Sequence, residues 1–259
     1  MQEKFEKLYS EFKKISKKGY IKGIYNSSSS IGRTFEHELG LEMNKESIPD
    51  YEGIEIKTRR TYSKSLLTLF TAVPNGDKPL ELTRIKDTYG YPCSRDRRYK
   101  ALYVEVYADK LNFGGIKFQY KLNVDRKERK VYLCIYNKKG EQLEQEAYWS
   151  FDYLKEKLTN KLKLLAVVNA WPKKIEGWNY FNYYKINFYV LKTFNDFITL
   201  LENGKIVLRI KIDIYYDDNN YGKMYDHGCS FSIAEENIKE LFYQYYLNAD
   251  KHIWKYKYD

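Results

Sequence analysis

Cysteine is scarce in this sequence, which has Cys93, Cys134 and Cys229 and no others. The number is odd and no pair has the C-x-x-C spacing, so the pattern excludes a disulfide framework and gives no indication of a structural zinc site. We expect all three residues to be ordinary buried or half-buried thiols.

Long apolar runs are also missing. No stretch approaches the ~20 consecutive apolar residues that a membrane-spanning helix needs. The N-terminal segment MQEKFEKLYSEFKKISKKGY lacks the apolar core of a secretion signal. No helix pattern combines a strong apolar face with a densely basic one, which disfavours binding to a membrane surface. We therefore predict a cytoplasmic protein with no membrane partner.

Acidic residues are outnumbered by basic ones. The 259 residues include 45 Lys or Arg and 35 Asp or Glu, a formal net charge of +10. The 43% of hydrophobic residues are enough for a substantial core. A basic chain favours polyanionic partners such as nucleic acid. The 28 tyrosines are able to stack on bases, but we interpret them mainly as strand and core residues.

The hydrophobic pattern predicts helices and strands that are interleaved along the chain. The predicted helices cover residues 2–18, 32–43, 148–162, 193–204 and 234–247, and Ser150 is the expected N-cap of the third. The predicted strands cover residues 53–58, 66–73, 101–108, 116–125, 130–137, 163–171 and 205–216. The apolar strand 66–73 is expected to be central in its sheet, residues 75–100 to be a basic loop, and residues 217–233 to be a loop that returns into a strand. The fold class is α/β, a mixed sheet flanked by helices, with two lobes that form a cleft.

Three charged residues lie close together in the segment IPDYEGIEIKT. Period-2 alternation puts Ile54 and Ile56 on one face of the strand and Glu55 and Lys57 on the other, and Asp50 enters from the preceding turn. Mg²⁺ prefers a few carboxylates plus water, which Asp50 and Glu55 are suited to supply. Lys57 is suited to hold an attacking water and to stabilise negative charge in phosphodiester hydrolysis.

Glu36, on the helix predicted just upstream, would complete the metal environment. The pattern D-x4-E-x-K also arises by chance in sequences rich in Asp, Glu and Lys. An edge strand with Glu and Lys on a solvated face would show the same pattern without any chemistry. The Pro-Asp turn before the pair and the apolar strand after it favour the functional interpretation.

Five segments in succession carry a more specific signal. They are IGRTFEHELG, IPDYEGIEIKT, KSLLTLFTAVP, YWSFDYLKEKLTNKLKLLAVVNA and YDHGCSFSI. Together, from about Gly32 to Ile233, they resemble the MvaI/BcnI family of type II restriction endonucleases, relatives of the nicking repair enzyme MutH in the PD-(D/E)XK nuclease superfamily.

The resemblance implies a restriction-endonuclease-like fold in a single endonuclease domain, residues 1–259. It implies a catalytic lobe of about residues 20–170 and a DNA-recognition lobe of about residues 171–250. The implied activity is Mg²⁺-dependent, sequence-specific hydrolysis of double-stranded DNA at a CCNGG-like site, leaving 5′-phosphate and 3′-hydroxyl ends. A monomer that cuts one strand per binding event, and a cognate DNA methyltransferase for the same site, are also implied.

The resemblance also implies site residues. It assigns catalysis to Asp50, Glu55 and Lys57, with Asp50 and Glu55 binding the metal, and it matches Glu36 to the acidic residue of the family's G-x-T-x-E helix. The predicted DNA contacts are Arg59, Arg60, Lys64, Arg84, Arg209, Lys211, Lys223, Asp226 and His227. Further basic residues in the predicted loop, Lys86, Arg95, Arg97 and Arg98, are candidates for a DNA groove, whereas His37 and His252 are interpreted as structural.

One position departs from the family pattern. Relatives that cut CC(A/T)GG have an acidic residue and an arginine two apart where this chain has Arg209 and Lys211. Reversal of charge at a base-reading position changes the hydrogen bonds offered to the bases, which leaves the target sequence open. Two other functions also stay open: a MutH-like strand-nicking repair endonuclease, and a DNA-binding module without catalysis.

Overall fold

The computed structural model of the chain describes residues 1–27, 29–41, 49–75, 78–145, 147–248 and 253–256. His252 and the C-terminal end of the helix predicted over residues 32–43 lie outside the described residues, as does the side chain of His227. Within the described residues the α-helices are α1 (Gln2–Ser16), α2 (Ser30–Glu38), α3 (Lys78–Tyr89), α4 (Phe151–Leu162), α5 (Phe194–Glu202) and α6 (Ile238–Leu241). A short 3-10 turn, Glu235–Asn237, precedes α6. None of the helices so described has the length and apolar character to span a membrane.

Strands make up most of the remaining regular structure. In chain order they are β1 (Tyr20–Lys22), β2 (Glu55–Arg60), β3 (Leu67–Thr71), β4 (Tyr91–Pro92), β5 (Lys100–Val106), β6 (Asn112–Gly114), β7 (Phe118–Asp125), β8 (Lys130–Asn137), β9 (Gln142–Glu144), β10 (Tyr148–Ser150), β11 (Leu164–Ile175), β12 (Trp178–Leu191), β13 (Ile206–Ile214), β14 (Met224–Ile233), β15 (Phe242–Asn248) and β16 (Ile253–Tyr256). The mixed α/β class predicted from the sequence is confirmed.

The first compact unit, unit 1, consists of Met1–Ser65, Thr159–Lys192 and Lys239–Asp259. Its sheet has the strand order β16-β15-β12-β11-β2, and β1 pairs with β12. β2 runs parallel to β11, and the other pairs are antiparallel. The apolar faces of α1 and α2 bury Phe5, Leu8 and Phe35 in one core with Ile54 and Ile56. This core fixes β2 with its other face turned away from the two helices.

The second compact unit, unit 2, consists of Leu66–Leu158 and Thr193–Ile238. It has one sheet of order β3-β14-β13-β5-β4 and another of order β10-β8-β7-β6, with β9 paired to β8. Phe70 of β3, Phe197 of α5 and Phe231 of β14 pack with ring centroids 5.3 to 5.8 Å apart. The boundary predicted near residue 170 falls inside β11, whereas each compact unit is assembled from separate segments of the chain.

Much of the predicted local structure is confirmed. α1 and α5 occupy their predicted segments, and the amide of Tyr153 donates to the Oγ of Ser150 at 3.3 Å, as expected for an N-cap. The three cysteines are free and buried.

Three predictions of local structure are wrong. Residues 78–89 of the predicted loop form α3, because Leu82 and Ile85 bury one helical face and Pro79 is tolerated in a first turn. β3 lies at the end of its sheet, not at the centre. The last predicted helix is only α6, and the aromatic-rich continuation forms β15, which pairs with β12.

Candidate active site

A two-residue turn brings Asp50 beside β2. Glu52 and Gly53 have φ values of 48° and 86°, and positive φ at both central residues is typical of a type I′ hairpin turn. Tyr51 and Ile54 exchange backbone hydrogen bonds of 3.0 and 2.8 Å across it. The reversal therefore places Asp50 opposite the first residue of β2.

Contacts on both sides hold this turn. The Oδ2 of Asp50 accepts a 2.8 Å hydrogen bond from the amide of Ile56, which fixes the carboxylate at the start of β2. From α1, the Nζ of Lys4 donates to the backbone oxygen of Glu52 at 2.6 Å, and Lys7 pairs with the Glu52 carboxylate. The position of Asp50 thus depends on α1 as well as on the turn.

The ladder between β2 and β11 defines the face that Glu55 and Lys57 share. Glu55 lies opposite Leu165 and Lys57 opposite Val167, so these four side chains point to the same side of the sheet. Ile56 points the other way into the unit 1 core. The alternation predicted from the sequence is therefore present, but Glu55 is only 1% exposed, which contradicts the solvated edge-strand interpretation.

Glu55 is a buried carboxylate between two lysines. Its Oε1 is 2.5 Å from the Nζ of Lys57 and 3.5 Å from the Nζ of Lys161. Burial raises the pKa of Glu55; Lys57 and, less strongly, Lys161 oppose that rise, and Asp50 adds to it. Its Oε2 is buried and has no hydrogen-bond partner among the described residues. A buried acceptor without a partner is costly, so this oxygen calls for a ligand.

The residues present fit a divalent cation. Asp50 and Glu55 offer hard carboxylate oxygens from neighbouring positions, and the partnerless Oε2 of Glu55 is the kind of atom that such an ion would satisfy. A larger cluster does not form, because no group of three or more His, Cys, Asp or Glu is arranged to hold a metal within the described part of the chain. Two protein carboxylates with water as the remaining ligands match the usual coordination of Mg²⁺.

Glu36 does not join Asp50 and Glu55 in a cluster of that kind. Its Oε2 accepts a 2.9 Å hydrogen bond from Arg33. Glu36 and Thr58 both approach Gly32. A Cβ added to this glycine would lie 3.9 Å from the Oε1 of Glu36 and 3.2 Å from the Oγ1 of Thr58. Thr58 alternates with Lys57 along β2, so Glu36 lies near the face opposite the lysine. Spacing along the sequence does not reveal on which face a helix packs.

Of the predicted DNA contacts in unit 1, Arg59 has a structural task. It is 7% exposed, and its guanidinium donates to the backbone oxygens of Ser63 and Ser65 at 2.7 and 3.0 Å. It therefore braces the turn after β2. Lys64 is exposed and Arg60 is half-buried, so both are accessible to a ligand.

The remaining predicted contacts lie in unit 2. Arg84 on α3 donates to Glu81 and Glu144. Its guanidinium is therefore engaged by carboxylates of the protein itself. Arg209 and Lys211 alternate with buried residues along β13, so both side chains project from one face of the sheet. Arg209 lies 3.4 Å from the carboxylate of Glu105.

The last predicted contacts lie on and just before β14. Lys223 is exposed and donates to Asn220 at 3.1 Å. The Oδ1 of Asp226 accepts from the amide of Gly228 at 2.7 Å, at the point where the pairing of β14 with β13 is irregular. The backbone of His227 lies in β14.

Two residues near the site were not predicted. Lys161 reaches Glu55 from the last turn of α4, and Asn169, the ladder partner of Arg59, has a buried Oδ1 without a hydrogen-bond partner among the described residues. Both belong to a segment that resembles the family, YWSFDYLKEKLTNKLKLLAVVNA. The sequence shows Lys161 in a predicted helix directly before a predicted strand. It does not show that this strand, β11, pairs in parallel with β2, and that pairing is what brings Lys161 to Glu55.

In an assay of the DNA cleavage that the sequence resemblance implies, Lys161→Ala is expected to move the acidic limb of the pH profile to higher pH. Lys161 lowers the pKa of Glu55, so its removal raises that pKa, and the carboxylate ionises only at higher pH. Cleavage rates measured across a pH series should fall most at the acidic end and recover towards the basic end. Lys157→Ala, on the same helix with its cation over Tyr153, is the control. A loss of equal size at every pH would contradict this role.

Comparison with known proteins identifies the family. The sequence model of the MvaI/BcnI restriction endonuclease family matches residues 9–242. Restriction endonuclease MvaI in complex with its cognate DNA is similar with a TM-score of 0.87 and 29% identity over 94% of this chain and 98% of that chain. MvaI in the absence of DNA is similar with a TM-score of 0.60 and 27% identity over 94% and 97% of the two chains. None of the curated proteins matches this chain. With most of its length matched by the family model, this chain belongs to the MvaI/BcnI restriction endonuclease family.

Proposed function

We propose that this type II restriction endonuclease hydrolyses duplex DNA with Mg²⁺ bound by Asp50 and Glu55, leaving 5′-phosphate and 3′-hydroxyl ends. The observation that supports it most directly is the buried carboxylate of Glu55. It has one oxygen beside two lysines and the other without a partner among the described residues. An ion pair with the two lysines leaves the Oε2 of Glu55 buried without a partner, whereas a bound metal ion would be a ligand for it.

Each residue has a defined task in this proposal. Asp50 and Glu55 would hold Mg²⁺, which would supply Lewis-acid stabilisation of the charge that develops on the phosphate and on the leaving oxygen. Asp50, fixed by the amide of Ile56, and Glu55 provide the carboxylate ligands. Lys57 orients the attacking water from the same strand face and stabilises the negative charge that develops on the phosphate. Breaking the bond between phosphorus and the 3′ oxygen gives the proposed ends.

Glu36 has a supporting role in this proposal. Its carboxylate accepts from Arg33 on α2, and we propose that it supports the site without binding the metal. Arg60 and Lys64 are proposed to contact phosphates after β2. Arg209, Lys211, Lys223, Asp226 and His227 are proposed to read a target of the CCNGG type, with Arg209 suited to bond guanine. Arg59 and Arg84 are left out of the contact set, because intramolecular acceptors hold their guanidiniums.

The biological setting follows from this activity. We propose a monomeric enzyme that cuts one strand per binding event and re-binds to cut the other. A methyltransferase acting on the same site would protect the host DNA, and both enzymes would work in the cytoplasm. A strand-nicking repair endonuclease is the alternative for the same site. The two are separated by whether the purified protein alone cuts both strands.

The test is incubation of purified protein with unmethylated plasmid and Mg²⁺, beside an EDTA lane and the Lys57→Ala variant. Discrete linear fragments that need both Mg²⁺ and Lys57 are expected, and sequencing of their ends gives the target and the end chemistry. Persistent nicked circles would favour the repair enzyme. Binding of duplex DNA without any cut would leave only a binding module.

A further inference from the structure

Unit 1 has a second surface feature beyond the catalytic residues. Four exposed aromatic side chains and two exposed lysines lie together near the end of β2, and we call this set the aromatic–basic face. Its members are Tyr20, Lys22, Tyr62, Trp171, Lys173 and Tyr184.

The sheet explains why these residues are neighbours. β11 continues past the last residue of β2 and pairs there with β12, so that Trp171 lies opposite Asn182. Asn182 in turn lies opposite Tyr20 on β1. Directly paired residues share a face of the sheet, so Trp171 and Tyr20 project on the same side, and Lys173 follows two residues after Trp171. Phe181, between these positions, points to the opposite side and is fully buried in the core.

The aromatic rings contact one another at the surface. Trp171 stacks on Tyr184 with centroids 5.2 Å apart, and Tyr62 meets Trp171 edge-on at 5.4 Å. The hydroxyl of Thr61 bonds that of Tyr184 at 3.1 Å. Exposure is 85% for Tyr62, 43% for Tyr20, 39% for Tyr184 and 36% for Trp171. A cluster of large rings that remains exposed indicates a binding surface.

The two lysines lie over rings of the same ribbon. Lys173 lies 5.4 Å from the ring centroid of Tyr20, and Lys22 lies 4.5 Å from that of Trp178. The aromatic–basic face therefore presents two lysine side chains, each of which lies over an aromatic ring. Interleaved positive charge and flat rings are complementary to a sugar–phosphate backbone, where phosphates alternate with apolar sugar surfaces.

Tyr62 also has a strained backbone. Its φ is 64° in the turn that Ser63 closes by donating to the backbone oxygen of Arg60 at 3.1 Å. Such a φ is rare for an aromatic residue and is normal for glycine or asparagine. Strain of this kind persists where the side chain has a function, and the ring here projects almost wholly into solvent.

The face lies on the same side of the unit 1 sheet as the candidate active site. Glu55, Lys57 and Arg59 point to the side of the sheet on which Leu165, Val167, Asn169 and Trp171 also lie. At about 3.3 Å per residue, Lys57 and the end of β2 are about 10 Å apart, which corresponds to about three nucleotides of one DNA strand.

We propose that the aromatic–basic face binds the sugar–phosphate backbone of duplex DNA a few base pairs from the scissile phosphate. The proposal rests on the proposed nuclease function. Tyr62 and Trp171 pack against deoxyribose surfaces, and Lys22 and Lys173 neutralise flanking phosphates. The contact is independent of base sequence, so it adds affinity and fixes the position of the cut relative to unit 1.

The test compares Tyr62→Gly, Trp171→Ala and the double variant Lys22→Gln with Lys173→Gln. The probe is a fluorescein-labelled duplex of about 30 base pairs, three helical turns, without divalent cation. Each aromatic variant should bind about tenfold more weakly. The double lysine variant should reduce the slope of log affinity against log salt by about 0.9 for each phosphate that the protein no longer neutralises. Because glycine accepts the φ of residue 62, Tyr62→Gly should melt at or above the wild-type temperature.

Phe113→Ala is the matched control, since Phe113 is 51% exposed in unit 2 and lies outside this face. Its affinity should equal that of the wild type. If the wild type binds and cuts DNA and the aromatic variants bind equally well, the face is not a DNA contact and only this proposal fails. If the wild type neither binds nor cuts DNA, the proposed function fails first. Weaker binding of the variants to phosphatidylserine vesicles, or a change of molecular mass, with DNA affinity unchanged would overturn the proposal in favour of a membrane surface or a second copy of the chain.

Discussion

Glu55→Gln is expected to reduce plasmid cleavage by about 10²- to 10³-fold or more, the loss typical of removing one group that stabilises transition-state charge. The amide of glutamine keeps the size of the side chain but lacks the negative charge with which a carboxylate binds a cation. At neutral pH and without metal, the same variant should melt above the wild type. The two readouts, cleavage with Mg²⁺ and thermal unfolding in EDTA, therefore move in opposite directions.

The sign of the stability change follows from the raised pKa of Glu55. The folded protein binds this proton more tightly than the unfolded chain does, so stability falls as pH rises from the unfolded value near 4.5 through the folded pKa. Above that window the ionised carboxylate costs stability, and glutamine removes the cost. The gain should disappear below about pH 4, where the carboxyl is protonated in both states.

Glu11→Gln provides the control for this experiment. Glu11 is a half-buried carboxylate on α1 that pairs with Lys14 at 2.7 Å, and it is not among the candidate site residues. Cleavage and melting temperature should stay at wild-type values. A Glu55→Gln variant that melts well below the wild type would show that the carboxylate mainly holds the fold, against the metal-site interpretation.

Trp149→Ala is expected to lower the free energy of unfolding by about 3 to 5 kcal/mol, as for other large aromatic residues in a core. Trp149 of β10 is fully buried, donates from its indole nitrogen to the backbone oxygen of Ala72 at 3.0 Å, and meets Phe231 edge-on at 5.9 Å. The substitution creates a cavity and leaves the oxygen of Ala72 without this donor. Urea unfolding followed by circular dichroism measures the change, and at about 2–4 °C per kcal/mol the melting temperature should fall by about 10 °C.

Trp171→Ala is the matched comparison. Trp171 is 36% exposed, so its removal should cost less stability than that of Trp149 while weakening DNA binding about tenfold. If Trp149→Ala unfolds at the wild-type urea concentration, the packing described around β10 is incorrect.

The sequence predicted that Asp50, Glu55 and Lys57 lie close together because this arrangement is local. Asp50, Glu55 and Lys57 lie within one turn and one strand, and period-2 alternation alone puts Glu55 and Lys57 on the same face. The contact of Lys161 with Glu55 was not predicted, because it depends on the order and direction of strands that are far apart in sequence. The side of β2 on which Glu36 lies depends on the packing of α2, which local spacing does not specify.

The fold was predicted where one pattern dominated. The amphipathic spacing of α1 and the buried positions of β13 are regular, and both elements formed as expected. β12, which has a bulge near Tyr184 and mixed burial along its length, was not predicted. Proline and charge masked the helical spacing of Leu82 and Ile85 in α3, and the apolar residues of β15 fit a helix until aromatic content is given its weight.

The parallel pairing of β2 with β11 has a consequence for synthesis of the enzyme. Glu55 leaves the ribosome about 110 residues before Leu165, its partner in the ladder. Its turn forms within microseconds, but burial of the carboxylate waits for β11 and α4. A chain released early, for example by a nonsense mutation before β11, therefore has Asp50, Glu55 and Lys57 yet lacks the assembled proposed site. Truncated products of the gene are thus expected to be harmless to the chromosome of the cell that makes them.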